Sequence, residues 1–386
     1  MKLDKHKLKK QESVANKVVA NKGSTLVAAT GFGKTFTAVL VINKLIEPDF
    51  KVLVVVPTRE LKKQWEGVLR QVKLLGYCEV VVINTAYKNT YKGIDLVIFD
   101  ECHRVPAPEF AKALDTIEYN KVFCLTATLE RADGEESKIL EIAPVIETIT
   151  LEDAKANNWV SDYIVYCLEI PLTSIELKEH AKLAKTFKWA AGKCGFGGDA
   201  FKNASAWLKT GSKQQRAWAG IYYNTMGKRK RLLHNAANKA KYAAKIALKS
   251  KRKGLIFSQT IDCAEEITTL LGNKALTYHG KLGKKERERV VKRLADNRTT
   301  TTFISSVQAL NEGFDVPDCS IAIIAGGTSQ KREQIQRTGR VLRTQPGKKG
   351  IIINLYIKGT QDEVWLRNRL DTQKCTWISK ISEIEW

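Results

Sequence analysis

The chain of 386 residues has no apolar run long enough to cross a membrane. Its longest apolar runs, VLVVV at 52–56 and IIINLYI at 351–357, have the length of strands, whereas a membrane helix needs about 18 residues. No apolar stretch follows the basic N-terminal segment MKLDKHKLKKQ, so that segment does not read as a secretory signal. With 44% hydrophobic and 27% charged residues, the composition excludes disordered, collagen-like and coiled-coil proteins.

Cysteine pairs at metal-binding spacing are absent. The eight cysteines never form a CxxC pair, and most of them lie within apolar, strand-like segments. Such residues are typical of reduced thiols in the core of a cytoplasmic protein, and the pattern indicates neither a zinc site nor a disulfide framework.

Acidic residues are scarce, above all in the middle of the chain. The chain carries 64 Lys and Arg residues against 41 Asp and Glu residues, a net charge of +23. Segment 172–253 alone holds 20 basic and 3 acidic residues, which is +17 of that total. The imbalance exceeds what solubility needs, so we expect the segment to bind a polyanion, with nucleic acid as the first candidate.

The same segment is poor in proline and is predicted to form helices. Thr173 with Glu176, and Ser212 with Gln215, have the spacing of capping boxes at helix starts. Gly192 and Gly195 are predicted helix stops, and Asp199 is predicted to cap a further helix. Gly227 is predicted to interrupt the last helix.

On either side of this segment, short apolar runs alternate with helical patterns. The early runs are Thr25–Ala29, Val52–Val56, Glu79–Ile83, Leu96–Phe99 and Val122–Leu125. Helices are expected between them, as at Lys34–Leu45 and Arg59–Leu69. The alternation returns after residue 253 with GLIFS, ALTYH, TTFIS, IAIIA and GIIINLYI. Buried strands alternating with helices predict an α/β protein with two parallel-sheet domains and a basic, mainly helical insert.

A glycine-rich turn follows the first predicted strand and opens the first long helix of that domain. Glycines let the backbone N–H groups face phosphate oxygens. A lysine in such a turn binds the β- and γ-phosphates, and the next hydroxyl binds Mg²⁺. The alternative is a strand-to-helix turn without a ligand. The predicted phosphate-binding residues are Ala28, Ala29, Thr30, Gly31, Phe32, Gly33, Lys34 and Thr35, with Thr35 also on the metal.

Two adjacent carboxylates end the strand at Leu96–Phe99. A buried strand that ends in Asp-Glu places both acids at the carboxyl edge of the sheet, where ligands of open α/β sheets bind. Asp100 is suited to hold Mg²⁺, and Glu101 is suited to orient and deprotonate an attacking water. Alone, such a pair is often a solvated turn, but a phosphate-binding turn in the same domain favours the catalytic interpretation.

Three arginines follow one another at helical spacing in the segment QIQRTGRVLR. Arg337, Arg340 and Arg343 stand at i, i+3 and i+6, so they share one face of a helix or its approach. Phosphoryl transfer needs positive charge at the γ-phosphate, and an arginine finger supplies it.

In this order, the motifs resemble those of superfamily 2 helicases of the DExH type, ATP-driven motors built from two RecA-like domains. The resemblance implies a first RecA-like domain at 1–160, the insert at 161–235 and a second RecA-like domain at 236–386. Five further segments resemble motifs of the family. Pro57–Leu61 resembles motif Ia, and Asn84–Tyr87 stands where a second strand-contacting motif is expected. Motifs III, IV and V correspond to Thr126–Thr128, Gly254–Gln259 and Asn311–Asp315.

The resemblance implies hydrolysis of ATP with Mg²⁺ between the two domains. It assigns the finger role to Arg340 and Arg343, places Asp315 near the ribose or the attacking water, and places Gln336 near the γ-phosphate. Gln11 takes the position that reads adenine, although the preceding residues read Leu-Lys-Lys and lack the aromatic that many relatives carry there.

The segment LTATLERADG after motif III is similar to the branch that holds the UvsW-, XPB- and RecG-like DNA helicases and the type III restriction motors. The small size resembles phage or bacterial members, which implies the cytoplasm of a bacterial or phage-infected cell. The implied partner is duplex, forked or branched DNA, with one chain sufficient for activity and no membrane involved.

Two groups of residues are predicted to contact nucleic acid. By the resemblance, Arg59 and Thr85 touch the strand backbone. In the insert, charge favours a basic run, while most of the interleaved aromatics are expected to form a small helical core. The run consists of Lys228, Arg229, Lys230 and Arg231.

Three other functions are open to this sequence. An RNA helicase would carry the same motor motifs, and the motor subunit of a restriction system would need a nuclease on another chain. A non-catalytic nucleic-acid scaffold is disfavoured, because Lys34, Asp100, Glu101 and Arg340 are all intact.

Overall fold

The computed structural model describes residues 5–104, 108–129, 136–195, 197–307, 319–329, 349–370 and 373–386, with backbone only at 104 and 108–110. The chain divides into two compact units. Within the described residues, the first unit comprises 5–163 together with 319–320 and 349–350, and the second comprises 164–307, 321–329 and 351–386. The three helices of the predicted insert therefore fall within the second unit.

The first unit is built on a six-stranded parallel sheet. Its strands are β1 Gly23–Ala28, β2 Val52–Val56, β3 Cys78–Val82, β4 Tyr91–Asp100, β5 Ile117–Thr126 and β6 Val145–Ile149. The spatial order is β3-β2-β4-β5-β1-β6, so that β5 alone separates β1 from β4. Every residue of β2 is buried, as expected for a strand with helices on both faces.

In the described residues, seven helices accompany this sheet. They are α1 Lys5–Ala20, α2 Lys34–Leu45, α3 Arg59–Gln71, α4 Ile83–Ala86, α5 Pro108–Thr116, α6 Ser137–Ile142 and α7 Leu151–Ala156. Short 3₁₀ turns occupy Leu75–Tyr77 and Cys102–Arg104. Thr58 caps α3 by accepting a hydrogen bond from the Leu61 N–H, which fixes where the helix after β2 begins.

The second unit holds a seven-stranded sheet in the order β13-β7-β12-β11-β8-β10-β9. Its strands are β7 Asp162–Glu169, β8 Gly254–Ser258, β9 Ala275–Tyr278, β10 Phe303–Val307, β11 Ile321–Ile324, β12 Lys349–Tyr356 and β13 Thr376–Ile378. Strands β9, β10, β8, β11 and β12 pair in parallel in this sequence, and β13 pairs in parallel with β7. The core of the sheet is aliphatic and includes Ile256, Ile323 and Ile353.

The described part of this unit contains seven helices: α8 Ser174–Cys194, α9 Gly198–Thr210, α10 Lys213–His234, α11 Ala237–Ser250, α12 Ile261–Leu271, α13 Lys284–Ala295 and α14 Gln361–Leu370. Two 3₁₀ turns lie at Gly272–Lys274 and Ile381–Glu383. The α/β class, the two parallel-sheet domains and the helical insert are thus confirmed.

Helices α8, α9 and α10 form the insert and pack on a core of their own. Both predicted capping boxes are present, at Thr173–Glu176 and Ser212–Gln215. Gly195 ends α8 with φ 98°, whereas Gly192 lies inside that helix. The core consists of small residues with Tyr222, covered by aromatic side chains at Phe187, Trp207, Trp218 and Tyr223. The aromatics are therefore mostly core residues, as expected.

Besides the stop at Gly192, two local predictions in the insert are wrong. Asp199 does not cap α9, which starts at Gly198 after Gly197 and has no side-chain cap. Gly227 does not interrupt α10, which continues to His234. A single glycine inside a helix costs only about 1 kcal/mol relative to alanine, which the packed side of α10 offsets.

All eight cysteines are described, and seven of them are buried as predicted; Cys375 is partly exposed. Within the part of the chain that the structure describes, no helix combines the length and the hydrophobicity that a membrane span requires.

Candidate nucleotide-binding site

The predicted phosphate-binding turn connects β1 to α2. Gly31 and Gly33 adopt φ values of 95° and 94°, a region that glycine enters without the steric cost of a Cβ. A Cβ on Gly33 would lie 2.6 Å from the side-chain amide nitrogen of Gln11, so any larger residue there would displace the Gln11 side chain. Because α2 begins at Lys34, its first N–H groups have no carbonyl one turn earlier and favour an anion.

Lys34 folds back over this turn. Its Nζ donates a hydrogen bond to the carbonyl oxygen of Ala28 at 3.0 Å, which holds the ammonium group beside the backbone of the turn. Thr35 follows within the first turn of α2. The structure thus places the lysine and the hydroxyl of the motif at the start of one helix, as the sequence predicts.

Asp100 ends β4 and is almost fully buried, with 9% of its surface exposed. Its Oδ2 accepts a hydrogen bond from Nε1 of Trp65 at 2.8 Å, and its Oδ1 accepts one from the N–H of Glu101 at 3.0 Å. Burial raises the pKa of this carboxyl, while the Trp65 hydrogen bond and the charge of Lys34 act in the opposite direction. A buried carboxylate that interacts with the lysine of a phosphate-binding turn fits a Mg²⁺ ligand.

Glu101 lies directly after the strand, in a left-handed backbone conformation with φ 51°. Its Oε2 is 3.4 Å from Nδ1 of His103, and that nitrogen lies 3.1 Å from Oγ1 of Thr126. The Thr126 hydroxyl donates to the carbonyl oxygen of Thr128 at 2.7 Å. Because that donation uses the only hydroxyl proton, Nδ1 of His103 is the donor to Thr126. The DECH segment at 100–103 and motif III at Thr126–Thr128 are therefore joined by a hydrogen bond.

Gln11 reaches the phosphate-binding turn from α1. It is 4% exposed, and its Nε2 donates to the carbonyl oxygen of Phe32 at 2.7 Å. No aromatic residue stands directly before Gln11, but a different aromatic, Trp159, lies beside the turn. Its ring packs on Phe32 at 5.4 Å and on His6 at 5.8 Å between ring centroids. Trp159 lies far from the motif in sequence, and no local pattern pointed to it.

Two predicted strand-contacting residues lie together on the surface of the first unit. Arg59 at the start of α3 and Thr85 in α4 line one open depression, together with Lys62 and Lys63. Both Arg59 and Thr85 are exposed. Glu66 lines the same depression and lies 3.6 Å from Lys62, so among the described residues Arg59 and Lys63 are its unpaired cations, beside the Thr85 hydroxyl. Such a group suits a phosphate backbone.

The insert presents most of its positive charge to solvent. Twelve basic side chains are exposed: Lys178, Lys182, Lys185, Lys188, Lys193, Lys202, Lys209, Lys213, Arg216, Lys228, Lys230 and Arg231. Arg229 differs, because it is half-buried and its guanidinium lies 4.5 Å from the ring centre of Phe187. Three members of the predicted basic run are thus available to a ligand, and the fourth packs against the insert core.

Four predicted site residues lie outside the described residues: Asp315, Gln336, Arg340 and Arg343. Within the described part, the structure brings together Gln11, the phosphate-binding turn and Lys34, and it brings Lys34 within electrostatic range of Asp100. It also adds Trp65, which sequence reasoning missed. The only signal for Trp65 was its apolar phase with Leu69 on α3, which predicts burial but not a carboxylate partner.

A phosphate-binding turn after β1 and an acidic pair after β4, at the same edge of a parallel sheet, define the class of P-loop nucleotide triphosphatases. Two family models match the chain and refine that class. Residues 238–345 match the helicase conserved C-terminal domain. Residues 2–90 and 77–131 match the type III restriction enzyme, res subunit. Together they support the resemblance to superfamily 2 helicases.

Curated relatives point the same way. The chain is 27% identical over 386 residues to the DNA 3'-5' translocase XPB2 of Sulfurisphaera tokodaii, with 95% of this chain and 85% of the relative covered. It is 24% identical over 337 residues to the DNA 3'-5' helicase XPB of Kineococcus radiotolerans, with 83% of this chain and 52% of the relative covered. The chain therefore spans only about half of some of its relatives.

Among solved structures, the Hef helicase domain of Pyrococcus furiosus matches with a TM-score of 0.58 and 17% identity. The match covers 92% of this chain and 96% of that one. At this identity the likeness concerns the fold, and it confirms the RecA-like architecture.

Proposed function

We propose that this chain is an ATP-dependent DNA helicase or translocase. The observation that carries the proposal is the meeting of Lys34 and Asp100 at one sheet edge, with Asp100 buried and held by two hydrogen bonds. The family matches add that this nucleotide site belongs to a helicase-type chain. The printed names of the relatives support DNA as the substrate and 3'-to-5' as the direction of movement.

At the ATP site, each residue has a separate task. Lys34 and the N–H groups at the start of α2 bind the phosphates, and Gln11 orients the turn and the base. Thr35 and Asp100 would hold Mg²⁺, which neutralises charge on the phosphate oxygens. Glu101 orients the attacking water and accepts its proton, while His103 and Thr126 connect that region to motif III.

The remaining groups of the site come from later in the chain. By the resemblance, Arg340 and Arg343 stabilise the charge that develops on the γ-phosphate, Gln336 contacts that phosphate and Asp315 contacts the ribose or the water. Hydrolysis then depends on residues of motifs that are widely separated in sequence, so that ATP turnover can gate a conformational change.

Two surfaces are proposed to hold DNA. The depression lined by Arg59, Lys63 and Thr85 binds the backbone of one strand. The exposed cations of α8, α9 and α10 bind duplex or forked DNA through its phosphates. No salt bridge in the described part of the chain occupies Lys228, Lys230 or Arg231, so these groups are available to release counterions from DNA.

The finer assignment is to the DExH-type, XPB-, UvsW- or RecG-like branch, acting on branched DNA as a single chain in the cytoplasm of a bacterial or phage-infected cell. The sequence DECH at 100–103 and the XPB relatives support the subtype. One vertebrate relative is the XPB subunit of general transcription and DNA repair factor IIH, from Danio rerio, at 27% identity over 292 residues. That relative is one subunit of a larger factor, which supports a protein partner for this chain.

ATPase rates with different nucleic acids test the proposed function directly. We expect single-stranded, duplex, forked and four-way DNA to stimulate the wild-type ATPase, with branched forms giving the largest effect and RNA a small one. The variant Lys34→Ala is the negative control for every arm. An ATPase that no nucleic acid stimulates would contradict the motor function.

Two alternative functions are each supported by one of the comparisons. The match to the restriction-type res subunit favours a restriction motor, which metal-dependent DNA cleavage upon addition of a nuclease partner would reveal. A relative from African swine fever virus, a putative ATP-dependent RNA helicase, is 32% identical over 135 residues. Stronger stimulation by RNA than by DNA would favour that second candidate.

A further inference from the structure

The feature that the proposed function leaves unexplained is Trp65. This side chain is 1% exposed, and α3 buries only Trp65 and Leu69. A buried indole N–H needs an acceptor, since an unmade hydrogen bond in the interior costs about 1–3 kcal/mol. Its acceptor is a carboxylate oxygen of Asp100, 2.8 Å away, and not a nearby backbone carbonyl.

The contact restrains the carboxylate that is proposed to hold the metal. One oxygen of Asp100 accepts from Trp65 and the other from the N–H of Glu101, so both torsions of the side chain are determined. Without the indole N–H, one side of the carboxylate loses its restraint. Groups that orient a metal ligand through hydrogen bonds are typically worth about 10–100-fold in metal affinity or activity.

The same helix carries the proposed DNA contacts. Arg59 lies in its first turn and Lys63 one turn later, both on the open depression with Thr85. Trp65 follows Arg59 by six residues, about 9 Å along the helix axis. Helix α3 has 13 residues, and a helix of that length moves as one body. If DNA binding shifts α3, the shift therefore also moves the Trp65 indole N–H that donates to Asp100.

We propose that Trp65 is a positioning residue, which orients Asp100 for the metal and links the DNA-facing side of α3 to the ATP site. The inference rests on the proposed function, because it takes Asp100 as a metal ligand and Arg59 as a DNA contact. Trp65 itself touches neither nucleotide nor DNA in this account.

Two substitutions separate a positioning role from a packing role. Trp65→Phe keeps most of the aromatic volume and removes the N–H. Trp65→His loses volume but keeps a donor, because Nε2 of histidine lies as many bonds from Cβ as Nε1 of tryptophan. Trp365→Phe, on α14 of the second unit, is the matched control.

The probe is Mn²⁺, and the readout is its binding to the ADP complex, measured by electron paramagnetic resonance with and without DNA. We expect Trp65→Phe to weaken Mn²⁺ about tenfold, to abolish the effect of DNA on that affinity, and to leave metal-free ADP affinity unchanged. The Mn²⁺ affinity of Trp65→His should lie nearer to the wild-type value than that of Trp65→Phe. The Mn²⁺ affinity of Trp365→Phe should equal the wild-type value.

Each other result has a definite meaning. Wild-type affinity and DNA dependence in Trp65→Phe, or a weaker Mn²⁺ affinity in Trp65→His than in Trp65→Phe, would overturn the positioning role. Wild-type protein that binds no Mn²⁺–ADP at all would instead overturn the proposed function. If both variants unfold, the test uses nuclear magnetic resonance on Trp159→Phe protein with ¹⁵N-labelled indoles. That substitution removes the indole that packs on Phe32 of the phosphate-binding turn. One indole signal must then shift when Mg²⁺ joins ADP, and a spectrum without a shift rejects the proposal.

Discussion

At the scale of single residues, Glu101 has the most exacting role in the proposed chemistry, because it both orients the attacking water and accepts its proton. Its left-handed backbone turns the side chain away from the line of β4 just after Asp100. A non-glycine residue in that region costs about 1–2 kcal/mol, and such conformations cluster at functional sites. The two neighbouring carboxyls therefore take different surroundings, with Asp100 enclosed and Glu101 beside His103.

Replacing Glu101 by glutamine tests this division. Glu101→Gln should bind ATP and DNA as wild type does and lose about 10²–10⁴-fold in turnover, because the amide cannot accept the proton of water. Fluorescent-nucleotide titration and a steady-state phosphate assay measure the two properties. The exposed Glu118→Gln is the control. Turnover near the wild-type rate in Glu101→Gln would remove Glu101 as the base.

Cys375 is predicted to be the most reactive thiol of the chain. A hydrogen bond with the Cys167 thiol lowers the pKa of Cys375 to about 7, and the charge of Arg367 acts in the same direction. The thiolate is the reactive form, so iodoacetamide labelling should rise up to about pH 8 and then level off. Cys78, whose pKa burial raises to about 12, should stay unlabelled. Rapid labelling of Cys375→Ser, or a rate still rising at pH 9.5, would contradict this.

Residue types at the ATP site were predictable because the chemistry of phosphate binding restricts them. Gly31, Gly33 and Lys34 follow from backbone conformation and charge, which the sequence shows directly. Trp65 and Trp159 were not predictable, since their roles depend on which side chain lies across a sheet edge or beside a turn. Packing partners of this kind are set by the tertiary fold and not by local spacing.

At the scale of elements, predicted boundaries were good where capping chemistry is local. Helix α2 begins and ends where predicted, and α8 and α10 begin at their capping boxes. Strand β4 begins five residues earlier than expected, because its polar first half, YKGID, pairs with β5 although it lacks an apolar pattern. Pairing partners extend strands beyond the apolar run that predicts them.

The insert supplies a prediction about its basic side. The triple variant Lys228→Ala, Lys230→Ala and Arg231→Ala should weaken DNA binding to all sequences alike and reduce the slope of log affinity against log salt by up to about 3. Arg229 is left in place, because its guanidinium packs on Phe187. Anisotropy titrations across salt concentrations give both quantities.

The matched control for that variant removes three exposed lysines of the first unit, at Lys44, Lys51 and Lys73. Lys44 lies in the last turn of α2, and Lys51 precedes β2 at the amino edge of the sheet, away from the proposed DNA surfaces. We expect its affinity and salt slope to stay close to wild type. Equal losses in the two triple variants would show that only total charge matters, and unchanged values in the first would exclude this part of the insert.

At the scale of the whole molecule, the sequence separates the two chemical halves of the motor by most of its length. The phosphate-binding turn at 28–35 and the QRTGRVLR segment at 336–343 lie some 300 residues apart in the sequence. Neither half alone has both the lysine that binds phosphate and the arginines that stabilise charge on it. The order of the motifs was readable from the sequence, whereas the hydrogen bond from Trp65 on α3 to Asp100, on which the proposed link depends, needed the structure.

A mixing experiment asks whether one chain supplies the whole ATP site. Lys34→Ala should lose nucleotide binding, and Arg340→Ala should keep it while losing about 10³–10⁵-fold in hydrolysis. Arg298→Ala, at a side chain that is 91% exposed and pairs only with neighbouring Asp296 in the described residues, should hydrolyse ATP at the wild-type rate. If one chain suffices, an equimolar mixture of the two inactive variants stays inactive on forked DNA at every protein concentration. Activity that appears in the mixture and grows with concentration would show that a second copy donates the arginine, because only a mixed pair then combines an intact Lys34 with an intact Arg340.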